Sequence, residues 1–328
     1  MENHILQKGP VIILLALFCT ILWGTAYPAV KIGYELFAID AADGFGKLLF
    51  AGLRFTIAGL MTLAVSVAMQ KKLAVPERCC WSGIALLGLV QTTCQYIFFY
   101  LGLANTSGVK GSILYALATF FVVIFAHLLF PDDRMTLQKI IGCCIGFTGV
   151  ILITFDGTGL GGGFVFTGEG FIMLSTLSSA LGSIISRRVT QGQDPVVITG
   201  YQLTGGGLVL ILIGLLGHGQ FGAVTAGGVL LLLYMAFLSA AAFTVWTMLL
   251  KYNPASKIAI YNFLIPIFGT TFSVMFLGES VFNVRSLMAL LLACAGIYIV
   301  NKEFVRKDTI QPIVVIEKAD GEIRDRTG

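Results

Sequence analysis

The sequence predicts an all-α integral membrane protein of ten transmembrane helices, built as two inverted five-helix repeats. Three observations lead to this fold class: an apolar composition, ten apolar runs of spanning length, and a similarity between the two halves. Hydrophobic residues make up 57% of the 328 residues and charged residues only 12%, whereas soluble domains usually have about 25% charged residues. A soluble fold needs a polar exterior, so this composition indicates a chain surrounded by lipid.

Ten segments have the roughly 20 apolar residues that a helix needs to cross about 30 Å of hydrocarbon. The longest uncharged stretch, from Pro195 to Leu250, is too long for one helix and is divided at Gly217 to Gln220. The first segment follows the basic Lys8, as in a signal peptide, but its length and the lack of a small-residue cleavage site predict that it stays as a helix. The ten predicted spans are 10–31, 47–69, 81–103, 108–130, 136–155, 169–188, 195–216, 226–250, 256–277 and 283–301.

Basic residues are distributed unevenly between alternate connecting segments. With the N-terminus in the cytoplasm, sixteen lysines and arginines fall on the inner side and four on the outer side, and Arg54 lies within the second span. This positive-inside bias predicts an even number of spans and places both termini in the cytoplasm. The predicted location is the cytoplasmic membrane. The charged segment 302–328 lacks an apolar face and is predicted to be a mobile cytoplasmic tail.

The two halves of the chain resemble each other. A shift of 147 residues places 107–150 on 254–297 without a gap, so that Lys110 meets Lys257 and Tyr115 meets Asn262. Five helices per repeat is an odd number, so the second repeat must enter the membrane from the opposite side. Inverted repeats in transporters place a substrate site near the membrane midplane and supply alternating access. The predicted units are residues 9–155 and 169–301.

Short motifs occur in order along both halves of the chain: Leu22-Trp23-Gly24-Thr25, Leu53-Arg54-Phe55 with Ala58-Gly59, Asn105-Thr106-Ser107, Ile265-Pro266 and Leu277-Gly278-Glu279-Ser280. Together these motifs resemble the drug/metabolite transporter superfamily, specifically its EamA-type ten-helix transporters. The resemblance covers residues 9–301 and implies two five-helix halves around a central cavity, in a family whose members include exporters of amino acids and other metabolites.

Polar side chains inside the predicted spans are the candidate substrate-binding residues, because they are costly in lipid unless they are paired or face water. Gln91 and Gln95 share one helix face, and Tyr115 and Thr119 share another. The repeat adds Asn262 and Pro266, and the proline would free a backbone carbonyl. These side chains either line one cavity or join helices through hydrogen bonds.

Two further candidates have a second interpretation. Trp23, with Tyr27 and Trp246, is placed to stack on an apolar substrate or to pack at the membrane interface. Arg54 either contacts an anionic group in the cavity or bonds helix-end carbonyls and snorkels outward. Arg54 is predicted to lie about 10 Å from a helix end, and this position near the end favours the structural role.

The predicted function is a secondary transporter, most simply an exporter, of small polar metabolites such as amino acids. The alternatives are a flippase for a lipid-linked substrate and, less favoured, a membrane enzyme acting on such a substrate. No enzyme activity, cofactor or catalytic residue is predicted, and the seven cysteines and scattered acidic residues show no metal-binding spacing. The expected partners are a small-molecule substrate and membrane lipids, and the singly scattered basic residues predict no nucleic-acid binding.

Energy coupling is predicted to be facilitated diffusion or exchange. Every acidic residue falls in a loop, in the tail or at a helix end, whereas a proton relay usually uses an acid or a histidine part-way across the membrane. Glu169 and Glu279 are the deepest acids. His127 is the one histidine that approaches membrane depth, and a structural role is favoured for it.

Overall fold

The computed structural model describes residues 5–70, 75–130, 135–154 and 164–279, together with 284, 287–292, 294–296 and 298–299. Two of its apolar helices are short: Leu137–Gly149 (α5) and Leu287–Gly296 (α10). Eight others are long and apolar enough to cross a membrane: Gly9–Leu36 (α1), Gly44–Met69 (α2), Arg78–Ala104 (α3), Gly108–Leu129 (α4), Phe166–Val189 (α6), Pro195–Leu216 (α7), Ala226–Tyr252 (α8) and Ala255–Leu277 (α9). The described residues are all-helical, as the sequence predicts, with no strand among them.

Eight of the predicted spans coincide with long helices of the structure. The predicted break between Pro195 and Leu250 is confirmed, because α7 ends at Leu216 and α8 begins at Ala226. The predicted spans 136–155 and 283–301 fall on the shorter helices α5 and α10, and residues of both lie outside the described part of the chain. The predicted tail 302–328 lies entirely outside it.

Local sequence signals explain where several helices begin. Ser107 precedes α4 and its Oγ accepts the N–H of Lys110 at 3.0 Å. Asp194 precedes α7 and its carboxylate accepts the N–H of Val196 at 2.8 Å. Such caps satisfy N–H groups that have no partner within the first helical turn.

Packing among the eight long helices follows a pattern in which a pairing has a counterpart five helices away. Helix α1 packs on α8 and α9, while α6 packs on α3 and α4; α2 packs on α8, while α7 packs on α3. Two pairings, α2 with α7 and α4 with α9, are their own counterparts. Exchanging α1 to α4 for α6 to α9 therefore preserves these pairings among the described residues.

Helices α4 and α9 run in opposite directions along their contact. Gly108 N–H, at the start of α4, donates to Oε1 of Glu279 just beyond the end of α9. Further along α4, Ser112 lies 3.2 Å from the Thr270 hydroxyl, and Thr119 donates to the carbonyl of Ala259 near the start of α9. The residue numbers on α9 thus decrease as the residue numbers of their partners on α4 increase, so the two helices are antiparallel.

Glycines allow the backbones of α2 and α7 to approach each other closely. A Cβ added to Gly59 would lie 2.4 Å from the backbone nitrogen of Thr204, and one added to Gly207 would lie 2.5 Å from that of Thr56. The two contacts are reciprocal, each placing a threonine of one helix on a glycine of the other. Close approach of this kind is typical of helix packing in lipid, where van der Waals contact drives association.

Candidate functional site

Three helices lose regular α-helical geometry at similar depth in the bundle. Helix α3 has a π-helical segment at Gly88–Cys94, and α4 is interrupted at Tyr115 and Ala116 between two α-helical pieces. Helix α9 passes through a 3-10 turn at Ile260–Phe263. The interruptions of α4 and α9 fall on the positions that the 147-residue shift aligns. Breaks at corresponding places in two halves, and π segments, mark functional sites in many membrane proteins.

These interruptions surround a cavity between the two halves. The cavity volume is about 40 Å³, which accommodates only a few water molecules. Both halves contribute, because α1 to α4 and α6, α8 and α9 all supply side chains. The lining residues are Trp23, Ala26, Tyr27, Arg54, Gln91, Gln95, Tyr96, Phe99, Tyr115, Ser179, Ser183, Phe243, Trp246, Asn262 and Ile265.

A polar chain crosses the cavity wall from α3 to α6. Gln95 Nε2 donates to the Tyr115 hydroxyl at 3.1 Å, and that hydroxyl lies 2.8 Å from Oγ of Ser179. The Oε1 atoms of Gln91 and Gln95 are buried and have no hydrogen-bond partner among the described residues. Gly182 makes room for Gln91, since a Cβ there would lie 2.7 Å from Gln91 Cβ. Buried polar atoms without partners cost free energy, so this wall favours a polar ligand.

An aromatic wall faces this polar chain. The ring of Trp23 meets Trp246 edge-on with centroids 5.0 Å apart, and meets Phe243 at 5.6 Å. Trp23 Nε1 is buried without a hydrogen-bond partner among the described residues. The wall therefore offers apolar contact together with one free donor.

Arg54 is the one charged side chain among the described lining residues. It is only 1% exposed. Its Nε donates to Oγ of Ser239 at 2.8 Å and to the carbonyl of Met235 at 3.3 Å, and its Nη1 donates to the Tyr100 hydroxyl at 3.1 Å. Its guanidinium also lies 4.8 Å from the centre of the Phe55 ring.

Arg54 lies further along its helix than the sequence predicts. Helix α2 begins at Gly44 rather than at residue 47, so Arg54 lies about 15 Å from the helix start at 1.5 Å per residue. The side chain is buried and does not snorkel outward.

Six of the eight candidate residues line the cavity: Trp23, Arg54, Gln91, Gln95, Tyr115 and Asn262. Thr119 and Pro266 do not belong to the lining. Thr119 is fully buried and its hydroxyl donates to the carbonyl of Ala259 at 3.1 Å, so it joins α4 to α9. Pro266 lies on α9 beyond the 3-10 turn, where its neighbour Ile265 faces the cavity instead.

His127 has a structural contact at the end of α4. It is exposed, and its Nδ1 accepts the backbone N–H of Met135 at 3.0 Å. The contact joins the end of α4 to the residue that lies two positions before α5. This geometry agrees with the structural role that the sequence favours.

One end of the bundle, called here the Glu279 end, carries two acid–base pairs. Lys31 Nζ lies 3.5 Å from Oε1 of Glu279, and Lys110 Nζ lies 3.4 Å from Oε1 of Glu169. The Glu169 side chain is only 4% exposed and also accepts the Thr106 hydroxyl at 3.0 Å. These contacts join α1 to the end of α9 and α4 to the start of α6.

Sequence reasoning missed the cavity role of several lining residues. Phe99, Phe243, Ile265, Ser179 and Ser183 are not among the candidates that the sequence predicts. An apolar residue that lines a cavity carries the same sequence signal as one that faces lipid. The serines do carry a signal, because they lie four residues apart on one face of α6.

Comparisons with known proteins identify the class of protein that this fold and cavity define. The family model described as the EamA-like transporter family matches twice, over residues 10–155 and 166–302. The chain belongs to this family, as the sequence motifs predict, and is a multi-pass membrane protein of a transporter class.

Individual relatives agree with this assignment. The chain is 30% identical to a WAT1-related chloroplastic protein of Arabidopsis thaliana over 85% of this chain and 66% of that protein. It is also 30% identical to the uncharacterized transporter YvbV of Bacillus subtilis, over 90% of this chain and 93% of that protein. A solved crystal structure with 18% identity shares the fold with a TM-score of 0.67, covering 90% of this chain and 97% of that one.

Proposed function

We propose that this chain is a secondary transporter that carries small polar metabolites across the cytoplasmic membrane by alternating access. The observation that carries the proposal is a cavity with unpartnered polar atoms at the level where α4 and α9 are interrupted. Among described residues it receives side chains from both halves, as expected for a site between two repeats. Export is the proposed direction.

The proposed architecture is ten spans in two inverted repeats, residues 9–155 and 169–301, followed by a cytoplasmic tail at 302–328. Its support is the packing pattern that survives exchange of the halves, together with the opposite directions of α4 and α9. Both termini are then cytoplasmic, as is the end of the bundle where α6 ends at Val189, and the Glu279 end is outside.

The present conformation is proposed to be the one closed to the outside. The ion pairs of Lys31 with Glu279 and of Lys110 with Glu169 join helices of both halves at the outer end. A cavity of about 40 Å³ is smaller than the 300–1,000 Å³ of typical ligand pockets. Substrate binding therefore requires the halves to separate, which links occupancy to the conformational change.

Gln91, Gln95, Tyr115 and Asn262 are the proposed polar contacts to the substrate, with Trp23 as the apolar one. Gln95→Leu removes the donor to Tyr115 and the free Oε1 while keeping similar volume. We expect this variant to lose most flux, because an unmatched polar substrate group costs about 1–3 kcal/mol. Thr271→Val is the matched control, since Thr271 is exposed on α9 and its hydroxyl bonds only the Ile267 carbonyl of its own helix.

A thermal-shift screen of the purified chain against a metabolite library, followed by flux of each hit in proteoliposomes, tests the proposal. Transport of a library solute by the wild type and by Thr271→Val, with loss in Gln95→Leu, is the expected result. A protein that moves no solute while retaining its fold would contradict it, as would a Gln95→Leu variant with unchanged flux.

A further inference from the structure

We infer that Arg54 binds a carboxylate of the transported solute, so that the substrate is an organic acid with one carboxylate and an apolar body. This inference rests on the proposed transport function and names the chemical class that the same cavity takes. It follows from the burial of Arg54, its open donors, a neutral counterpart in the other half, and the charge of the cavity.

The first step is the cost of the charge. Arg54 lies ten residues into α2, is 1% exposed and has no carboxylate partner among the described residues. A buried ion without a counter-ion is strongly unfavourable. Its hydrogen bonds to Ser239, Met235 and Tyr100 are to neutral acceptors. These contacts orient the guanidinium but leave its charge uncompensated.

The second step is the set of open donors. A guanidinium has five N–H groups in a planar fork, and the contacts above engage Nε and one N–H of Nη1. Nη2 has no acceptor among the described residues, and the side chain lines the cavity. Both N–H groups of Nη2 and one N–H of Nη1 are therefore available to a carboxylate, which is a strong acceptor for a guanidinium.

The third step is a comparison of the two halves. A shift of 148 residues places Gly52, Arg54, Thr56 and Gly59 on Gly200, Gln202, Thr204 and Gly207. Arg54 joins α2 to Ser239 on α8 at 2.8 Å. Gln202 joins α7 to Thr92 on α3 at 2.7 Å, and Thr92 falls on Ser239 under the shift of 147.

The same helix-to-helix bridge is thus made by a charged residue in one half and by a neutral amide in the other. The bridge itself does not require a charge. The positive charge must be explained by something else, and only the Arg54 bridge lies on the cavity. A ligand that supplies the missing negative charge accounts for the difference.

The fourth step is the total charge of the cavity. The other fourteen described lining residues are uncharged, so one positive charge faces one ligand. A single carboxylate neutralises it, whereas a doubly charged phosphate would leave a buried negative charge. The wall of Trp23, Phe243 and Trp246 then contacts the apolar body of the acid.

The test uses the full-length wild type and its Arg54→Gln and Arg54→Lys variants, with Arg78→Gln as control because Arg78 is exposed at the start of α3. The ligands are propanoate and 3-phenylpropanoate, their neutral amides, phenylalanine and 2-phenylethylamine. Binding is measured by calorimetry and flux in proteoliposomes. Phenylalanine tests whether a zwitterionic acid binds as well as a simple anion does. The amides match the acids in shape but lack their charge.

We expect the wild type and Arg78→Gln to bind carboxylates and to bind the amides and the amine at least about tenfold more weakly. Arg54→Gln should bind acid and amide equally well. Arg54→Lys should recover part of the preference for the acid, and this recovery would show that the site still folds when Arg54 is replaced. Equal binding of acid and amide by the wild type, or an unchanged preference in Arg54→Gln, would overturn the inference. Flux of other metabolites without carboxylate binding would overturn the inference about Arg54 and leave the proposed transport function intact. The absence of flux of any solute would refute both the inference and the proposed function.

Discussion

The carboxylate of Glu279 accepts the backbone N–H of Val109 at 2.8 Å, which joins the end of α9 to the first turn of α4. The second oxygen accepts the N–H of Gly108 at 2.9 Å, and Lys31 completes the group. One side chain therefore satisfies two N–H groups at a helix start that otherwise have no helical partner. Because α4 and α9 belong to different halves, this contact holds the halves together at the Glu279 end.

Removing the Glu279 carboxylate should expose the start of α4. In Glu279→Ala we expect amide hydrogen exchange in residues 105–112 to become at least about tenfold faster, because hydrogen bonds to charged groups contribute about 1.5–3 kcal/mol. The measurement is hydrogen–deuterium exchange by mass spectrometry on the reconstituted protein. Glu35→Ala is the control, since Glu35 is exposed near the same end. Equal exchange in wild type and Glu279→Ala would show that the contact does not hold α4.

The α2–α7 contact should tolerate no side chain at Gly207. A Cβ there would lie 2.5 Å from the Thr56 nitrogen and 3.0 Å from the Gly52 carbonyl oxygen, so Gly207→Ala must separate two backbones. We expect a loss of about 1–3 kcal/mol in stability, seen as a lower thermal unfolding temperature in detergent.

Gly205 is the matched control on the same helix, because nothing lies within 4 Å of an added Cβ. Gly205→Ala should be neutral or stabilising, since alanine favours the helix by up to about 1 kcal/mol. Similar unfolding temperatures for Gly207→Ala and Gly205→Ala would refute the close packing.

Transport should not depend on a titrating carboxylate. Glu169 is held by Lys110, Thr106 and the N–H of Val165, and the described cavity lining contains no acid. We expect an imposed pH gradient, with the membrane potential clamped, to drive no strong uphill accumulation, and His127→Ala to leave flux unchanged. Uphill accumulation that disappears in Glu169→Gln or Glu279→Gln would establish proton coupling instead. Loss of that accumulation in His127→Ala alone would make this histidine the proton carrier.

The proposed topology predicts the side of two connecting segments. A reporter fused at Lys72 should report the cytoplasm and one fused at Gly161 the outside, because of the sixteen-to-four distribution of basic residues. Both positions lie outside the described residues. An outside signal at position 72, or an inside signal at 161, would contradict ten spans with cytoplasmic termini.

The sequence predicts the eight long helices and six of the described lining residues for physical reasons. Apolar runs of spanning length have few alternatives to a membrane helix. Intramembrane amides such as Gln91 and Gln95 stand out because lipid disfavours them. The aromatic residues do not stand out: on α8, Phe243 is 4% exposed in the cavity wall, while Phe237 is 54% exposed.

Errors of the sequence analysis came from backbone geometry. Helix α4 is interrupted at Tyr115 without a proline, so its break has no local signal, and the turn directs Thr119 toward Ala259 rather than into the cavity. Helix α2 starts at Gly44 instead of residue 47, so Arg54 lies three residues further from the helix start than the sequence predicts. Helix boundaries depend on tertiary contacts, which a single sequence does not contain.

Alternating access requires the Glu279 end to open during each transport cycle, and a cross-link at that end should keep it closed. A Cβ at Gly108 would lie 3.2 Å from Cβ of Ser273, close to the 3.5–4.5 Å typical of disulfides. The double variant Gly108→Cys/Ser273→Cys is reconstituted, oxidised and assayed for substrate flux, with each single variant treated identically. We expect flux to fall to background on oxidation of the double variant only and to return with reductant. Undiminished flux through the fully cross-linked protein would show that the Glu279 end does not open during transport.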